Sequence, residues 1–471
     1  MTIRNQATPE EKSKICYKII TLVFILVLAQ LTFPTTLFLS SRFNTFYDSN
    51  KTLFLNILVS TSALYITFKP GRKIANKFQQ VVVTFVLFVT GLAFAFSNLP
   101  LLRNAFGISK MKQPFADWLA IFDFLHCRRG FGNTICDRFH RPWIYSDSYR
   151  ILSFVKSEHI FVILGLSALM ISLYQFVGLL KKYIGISHFI LIGFSPSFLF
   201  EMDRLNVDFL LFAIFLASFS AVKSDSGIRR FSTQILRISL NLFKPFFIIH
   251  SPIRRGRLTT LCWQIVLSLT FILLSFRGFN NLQFARRATL YDQHSQFGSQ
   301  YVGQLFLATK DPTILAIFGL IAVFLFAVCM ISLSDTDSFE FKNLFSFDSR
   351  KFETISCAAS LYLVLYLSGS QVQYASLSGL IFSGFLLFHR FEFALPAQVL
   401  IGFGFIGCLG FGFSLLRVVS STSLAVLALV FLLLNLSPNP KRYEAISFKK
   451  KSSSSHARLT PKNNFQKGNR N

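Results

Sequence analysis

The stretch HIFVILGLSALMISLYQFVGLL, residues 159–180, contains no lysine, arginine, aspartate or glutamate. A transmembrane α-helix needs about 20 predominantly apolar residues, so this stretch is long enough to cross a bilayer. A basic segment, KKY at 181–183, follows it directly, as is typical of a helix that ends at a membrane surface. The stretch therefore predicts a transmembrane helix.

Apolar runs of this kind recur from residue 17 to residue 436. Of the 471 residues in the chain, 52% are hydrophobic and 15% are charged, whereas about 25% of the residues of a soluble domain are charged. We therefore predict an all-α fold, a polytopic bundle of about 12 transmembrane helices. The predicted spans are 17–40, 52–68, 80–98, 159–180, 183–200, 205–222, 258–276, 312–333, 353–368, 372–388, 393–415 and 420–436.

The apolar segment 235–250 does not fit a simple span. It carries Arg237 and Lys244, and Pro245 interrupts it. Proline lacks a backbone donor and breaks a helix interior. We therefore predict a helix that lies at the membrane interface or enters the membrane only part way.

The formal net charge of +27 would by itself suggest nucleic acid as a partner. The lysines and arginines lie between the apolar runs and in the tail, however, where charge decides the orientation of a membrane protein. We therefore predict a membrane partner and no nucleic acid. The short basic segments that belong on the cytoplasmic side are 69–77, 181–183, 223–230 and 254–257.

This orientation divides the chain into regions. Residues 1–16 are predicted to be a cytoplasmic N-terminus, 17–436 the membrane domain, and 437–471 a basic, disordered cytoplasmic tail. The predicted location is a bacterial inner membrane. The segments predicted on the exoplasmic face are the long loop 99–158, the polar stretch 201–208, the loop 277–311 and the link 369–373.

The stretch FLFEMDRLNVDFLLF, residues 198–212, places five polar side chains between two apolar runs: Glu201, Asp203, Arg204, Asn206 and Asp208. Two interpretations are open. The polar groups cap a tight turn and pair with one another at helical spacing, as Arg204 and Asp208 would. Alternatively they form a site at the mouth of the bundle, since ionisable groups are costly near a membrane and usually mark function.

The long exoplasmic loop contains a second candidate segment, QPFADWLAIFDFLH, residues 113–126. Its apolar residues recur at helical spacing, which predicts a helix lying on the membrane surface. Such a helix would hold Asp117 and Asp123 at the water boundary. A carboxylate there could act as a general base between a lipid-borne and a water-borne reactant.

Two cysteines, Cys127 and Cys136, lie in the polar part of the same loop. A disulfide between them and a pair of free thiols are both open interpretations. A zinc site with His126 and His140 is less favoured, because the spacing of the two cysteines exceeds the usual two to four residues. No metal site or certain cofactor is predicted, and a divalent cation is left open.

Four segments together resemble a known family. SPSFLFEMDRLNVDFLLFAIFLA, 195–217, resembles the stretch with Glu-Arg-Gly-Asn-x-Asp in bacterial proteins related to glycosyltransferase family 87. CRRGFGNTICDRFHRPWIY, 127–145, is similar to that family's series of Cys, Gly, Cys-Asp, Arg-Pro and Tyr. The matching residues here are Cys127, Gly130, Cys136, Asp137, Arg141, Pro142 and Tyr145. LNLFKPFF, 240–247, resembles the family's Leu-Lys-Leu-x-Pro element, and SGSQVQYASLSGLIF, 368–382, resembles its Gly-x-x-x-x-Tyr-Arg-Leu-Ile-Phe element.

The resemblance implies a GT-C fold and an inverting glycosyltransferase that moves a mannose-like hexose from polyprenyl phosphate to a lipid or glycan acceptor. It implies an early exoplasmic catalytic acid, which by position would be Asp117, with Asp123 second. The substrate-binding candidates are Glu201, Asp203, Arg204, Asn206, Asp208, Asp137, Arg141, Tyr145, Lys244, Arg286, Arg287 and Tyr374.

Two other functions fit the same sequence. A transporter or flippase of lipid-linked sugar would use Arg204 and Asp208 as a gating ion pair, and its polar groups would continue through the bundle. The spans after Asp208 contain few ionisable groups, which argues against a full pathway. An inactive relative of the transferases is the third interpretation.

Overall fold

The computed structural model describes residues 62–63, 65–68, 71–97, 99, 103, 114–126, 146–221, 227–244, 258–276, 321, 349–368, 372–388, 395–410 and 414–436. All regular structure in this part of the chain is helical, which agrees with the all-α prediction. The predicted span 17–40, nearly all of 312–333, and both terminal regions lie outside the described residues.

The helices are labelled in chain order, and several match a predicted span closely. The α-helices are α1 Lys77–Phe96, α2 Ala116–His126, α3 Glu158–Leu180, α4 Ile186–Gly193, α5 Pro196–Arg204, α6 Val207–Ala221, α7 Gly227–Ser239, α8 Leu258–Ser275, α9 Ser349–Ser368, α10 Val372–Phe388, α11 Leu395–Leu409 and α12 Ser414–Leu436. Short 3-10 helices lie at Asp147–Leu152 and Leu240–Leu242.

Among the described residues, α1 and α3 are long and apolar enough to cross a membrane. Shorter apolar helical stretches lie at Cys262–Ser275, Ile355–Leu367, Ser376–Phe388, Leu400–Leu409 and Ser421–Leu432. The predicted number of spans therefore stays a prediction.

The helices α1 and α3 each expose apolar side chains along one face. On α1 the exposed residues include Phe78, Phe85 and Val89, and on α3 they include Ile163 and Ile171. An exposed apolar surface of this extent usually contacts another apolar phase or a partner, because water solvates it poorly.

The basic ends of these helices lie together. The backbone N–H of Ile186 donates to the carbonyl oxygen of Arg72 at 2.8 Å. Lys181 Nζ donates to Gln80 Oε1 at 2.7 Å. Residues 71–77 and 181–183, which the charge pattern places on one side, thus meet at one end of the bundle, and α1 and α3 run antiparallel from it.

The predicted span 183–200 is wrong in its boundaries. The structure has α4 and α5 there, and α5 continues to Arg204. Ser195 separates the two helices, because its hydroxyl accepts the Phe198 N–H as an N-cap and Pro196 is suited to a first helical position. The span 393–415 is also too long, since α11 ends at Leu409 and Gly410 has φ 81°.

The helix α7 begins earlier than predicted. Residues 227–230, assigned above to a basic loop, form its first turn. The helix exposes apolar side chains, including Ile228 and Phe231, and buries the polar Thr233 and Arg237. This arrangement is the reverse of a surface helix in a soluble protein.

The helices α9 to α12 pack together into a bundle that supports α5. The hydroxyl of Tyr362 donates to the carbonyl oxygen of Ser421 at 2.9 Å, which joins α9 to α12. The turn after α11 lies against the start of α5, where a Cβ on Gly410 would be 2.7 Å from Ser197 Oγ. The bundle therefore fixes the position of α5.

Close packing around α3 depends on a glycine, and Gly165→Ala tests it. A Cβ at this position would lie 2.6 Å from Trp118 Nε1 and 2.8 Å from Leu205 Cδ2. The substitution should lower the free energy of unfolding by about 1–3 kcal/mol, since overpacking displaces both side chains. Thermal or denaturant unfolding of the purified protein measures the change.

The matched control for this prediction is Gly384→Ala. Its added Cβ would meet Leu180 Cδ2 at 3.3 Å, the end of a flexible side chain. It should change stability by less than about 1 kcal/mol. Equal effects of the two substitutions would contradict the prediction.

Candidate functional site

Four helix ends meet at the end of the bundle opposite the basic segments. The helices α1 and α5 end there, and α2 and α6 begin there. Helix C-termini carry partial negative charge and N-termini partial positive charge. Side chains of either sign can therefore be placed favourably in this region.

The turn between α5 and α6 is a Schellman motif. The N–H of Asn206 donates to the Glu201 carbonyl oxygen and the N–H of Leu205 to that of Met202, both at 3.2 Å. Leu205 takes the left-handed position with φ 47°, where glycine is usual. Its side chain is buried, so packing offsets the backbone cost. The turn sets Arg204 and Asn206 on either side of Leu205.

Asp117, in the first turn of α2, contacts this turn. Asn206 Nδ2 donates to Asp117 Oδ2 at 3.3 Å, and Arg204 Nη1 lies 3.8 Å from Asp117 Oδ1. The backbone N–H of Phe115 donates to the Asp203 carbonyl oxygen at 2.8 Å. The structure therefore brings together the two segments that the sequence analysis singled out separately.

The indole of Trp118 anchors α2 on α3. Its Nε1–H donates to the carbonyl oxygen of Phe161 at 2.7 Å, and the two rings stack with centroids 4.6 Å apart. The helix α2 is thus packed against the protein, and its predicted position at a membrane surface stays a prediction.

The predicted exposure of Asp117 to water is wrong. Its exposed fraction is 5%, and Glu201, Asp203 and Asn206 are buried as well. Burial strengthens each electrostatic interaction, since the local dielectric constant is low. Asp123 lies further along α2 and is half-buried.

A second arginine, Arg103, belongs to this cluster and was missed by the sequence analysis. Its Nη2 donates to Asp203 Oδ1 and to the carbonyl oxygen of Phe94, each at 2.9 Å. Its guanidinium lies over the Phe94 ring. The signal for it was a lone arginine in the apolar segment NLPLLRNAF, 98–106, which needs a buried partner.

The carboxyl group of Asp203 lies beyond the predicted span 183–200. Burial raises the pKa of Asp203 above its ordinary value, and the hydrogen bond and charge of Arg103 lower it by less. Within the described residues, Asp203 Oδ2, Arg103 Nε, Arg103 Nη1 and Arg204 Nε have no hydrogen-bond partner. These atoms could therefore form further hydrogen bonds with a ligand. Of the two arginines, Arg204 is the more accessible, with 15% of its side chain exposed.

The remaining predicted residues are described in part or not at all. Asp208 lies in the first turn of α6, and Tyr374 lies in the first turn of α10. Lys244 is half-buried after the second 3-10 helix. The candidates outside the described residues are Asp137, Arg141, Tyr145, Arg286, Arg287 and the cysteine pair Cys127 and Cys136. In the described part, no group of three His, Cys, Asp or Glu could hold a metal ion.

Comparison of the chain with protein-family models, with curated proteins and with solved structures finds no match.

Asp203→Asn should change how stability depends on pH. Burial raises the pKa of Asp203 above 3.8, so the folded state holds its proton more tightly than the unfolded state. This contribution to stability is present below about pH 4 and is lost as the pH rises through the folded-state pKa. The free energy of unfolding of wild type should therefore fall relative to that of the variant as the pH rises from about 4 through the folded-state pKa. Unfolding midpoints measured across this pH range would show the difference. A stability difference that does not change with pH would contradict this.

Proposed function

We propose that the chain is an integral membrane protein. Support comes from the length and apolar composition of α1 and α3, from their exposed apolar faces, and from the reversed polarity of α7. Lipid would cover the apolar faces that water solvates poorly. The basic segments at one end would then lie at the cytoplasmic surface of a bacterial inner membrane, with both chain termini on that side. The buried cluster would lie toward the exoplasmic surface.

We further propose that this protein is a glycosyltransferase that moves a hexose from polyprenyl phosphate to a lipid or glycan acceptor, with inversion. The observation that carries the proposal is the position of Asp117. Its carboxylate is held by Asn206 and lies 3.8 Å from Arg204 at the end of the bundle. A carboxylate that an amide and a cation hold in place suits a general base that removes the proton of a hydroxyl.

In this mechanism the Asp117 carboxylate accepts the proton of the acceptor hydroxyl. The hydroxyl oxygen forms a bond to the anomeric carbon, and the bond from that carbon to the phosphate oxygen breaks. Polyprenyl phosphate departs with the electron pair from the opposite face of the sugar, as inversion requires. Arg204 orients the Asp117 carboxylate, and Arg286 and Arg287 are the candidates to bind the phosphate, because a guanidinium matches a phosphate in two hydrogen bonds.

The other residues of the cluster take different roles in the proposal. Glu201 and Asp208 are candidates to hold sugar hydroxyls. Asp203 pairs with Arg103 at 2.9 Å, so in this proposal its main role is to support the site. Because Asp117 is 5% exposed, the acceptor would reach it only if the contacts around it opened locally. A divalent cation is optional, since a monophosphate leaving group carries less charge than a diphosphate.

Transport of a lipid-linked sugar is the second candidate function, and one feature favours it. A seam of buried polar contacts joins the second 3-10 helix to α8 and α7 to α6. In the first contact, Asn241 Nδ2 donates to Ser268 Oγ at 3.1 Å. Arg237 Nε, in α7, donates to Ser218 Oγ at 2.8 Å. A polar path through the bundle is what a transporter requires. Such seams also join helices in membranes, so the transferase is preferred.

Asp117→Asn tests the proposed reaction. The amide cannot accept the hydroxyl proton, so kcat should fall about a hundredfold or more. The measurement is transfer of labelled hexose from polyprenyl-phosphate donors to membrane lipid or glycan acceptors by purified protein. Asp123→Asn, which alters the second carboxylate of α2, should lower kcat by less than about tenfold.

Two outcomes would count against the transferase. Full activity of Asp117→Asn would exclude this residue as the base. No transfer by wild type with any donor, together with movement of lipid-linked sugar across reconstituted vesicles, would favour the transporter. Neither transfer nor movement would favour an inactive relative.

A further inference from the structure

The cluster contains two aspartates and two arginines that pair unequally. Arg103 and Asp203 form a hydrogen-bonded ion pair at 2.9 Å, and both side chains are 3% exposed. Arg204 Nη1 and Asp117 Oδ1 are 3.8 Å apart, and these two side chains are more exposed, at 15% and 8%. The close pair is internal to the protein, and the looser pair is the one that a substrate could reach.

The two pairs interact electrostatically. Burial raises the pKa of Asp203, the charges of Arg103 and Arg204 both lower it, and the charge of Asp117 raises it. Asp203 is therefore a second anion within the field of Arg204. If Arg103 were absent, Arg204 would be the nearest cation left to compensate a buried carboxylate among the described residues. A buried charge without a partner is costly, so the structure would rearrange to supply one.

We propose that Arg103 is a positioning residue: by neutralising Asp203 it leaves Arg204 beside Asp117, where the transferase needs a cation. The inference rests on the proposed function of Asp117 and Arg204. It differs from a role as a simple tether between helices. Arg103 also bonds the Phe94 carbonyl oxygen and so joins the end of α1 to the end of α5, and a tether would act through that connection alone.

A pair of substitutions separates the two roles. Arg103→Gln removes the cation and leaves Asp203 as an uncompensated anion. Arg103→Gln combined with Asp203→Asn removes the anion as well, so Arg204 has no competitor for Asp117. Positioning by charge predicts that the second substitution restores function. A tether predicts that the double variant is as impaired as the single one, because the connection is absent from both.

The experiment compares hexose transfer by wild type, Arg103→Gln, Arg103→Lys and the double variant, each purified and shown to be folded. Arg103→Gln should lower kcat by about ten- to a hundredfold, with KM for the acceptor within about threefold. Arg103→Lys, which keeps the charge, and the double variant should each recover to within about threefold of wild-type kcat.

The control is Arg150→Gln. This arginine pairs with Asp147 at 3.1 Å, and 52% of its side chain is exposed. Exposed ion pairs contribute little, so its kcat should stay within about twofold of wild type. A double variant as slow as Arg103→Gln, or an Arg103→Gln variant as fast as wild type, would overturn the proposal.

A second readout does not depend on catalysis. Amide hydrogen exchange at Phe115 reports the bond from its N–H to the Asp203 carbonyl oxygen. Exchange should be about tenfold faster in Arg103→Gln and near wild type in the double variant. If wild type transfers no sugar, the proposed function fails, and the exchange rates still decide the role of Arg103. Equally fast exchange in the single and double variants would overturn the proposed positioning role of Arg103.

Discussion

The buried ion pair between Arg103 and Asp203 is the interaction on which this end of the bundle depends. Two helices, α1 and α5, end beside it, and their C-terminal carbonyl groups add partial negative charge to that of the nearby carboxylates. A low-dielectric interior does not tolerate such an excess of negative charge. Arg103 offsets it by bonding both the Phe94 carbonyl oxygen and the Asp203 carboxylate.

The same residue, Asp203, connects this electrostatic balance to the position of α2. Its backbone carbonyl accepts the Phe115 N–H, which fixes the start of α2 two residues before the catalytic candidate Asp117. Trp118 then fixes the helix against α3 through its bond to Phe161. Asp117 is thus held from two sides, and a substitution at either side should alter its position.

The packing that allows these contacts relies on small residues between large ones. A Cβ on Gly91 in α1 would lie 2.3 Å from the Met202 side chain, and one on Gly165 would meet Trp118. The interior of the bundle is therefore closely packed, whereas α1, α3 and α7 expose apolar side chains on their outer faces. The apolar outer faces are surfaces that water solvates poorly.

The sequence alone determined the elements that depend on local pattern. The apolar runs located α1, α3, α6 and α8 within a few residues, because a helix long enough for a bilayer must be apolar over its length. It also singled out Asp117 and the 201–208 stretch by their polarity. Only the tertiary structure showed that they touch, that Asp117 is buried, and that Arg103 completes the cluster. Those facts depend on contacts between residues about 90 to 100 positions apart, and no local pattern specifies which distant side chains will share a low-dielectric interior.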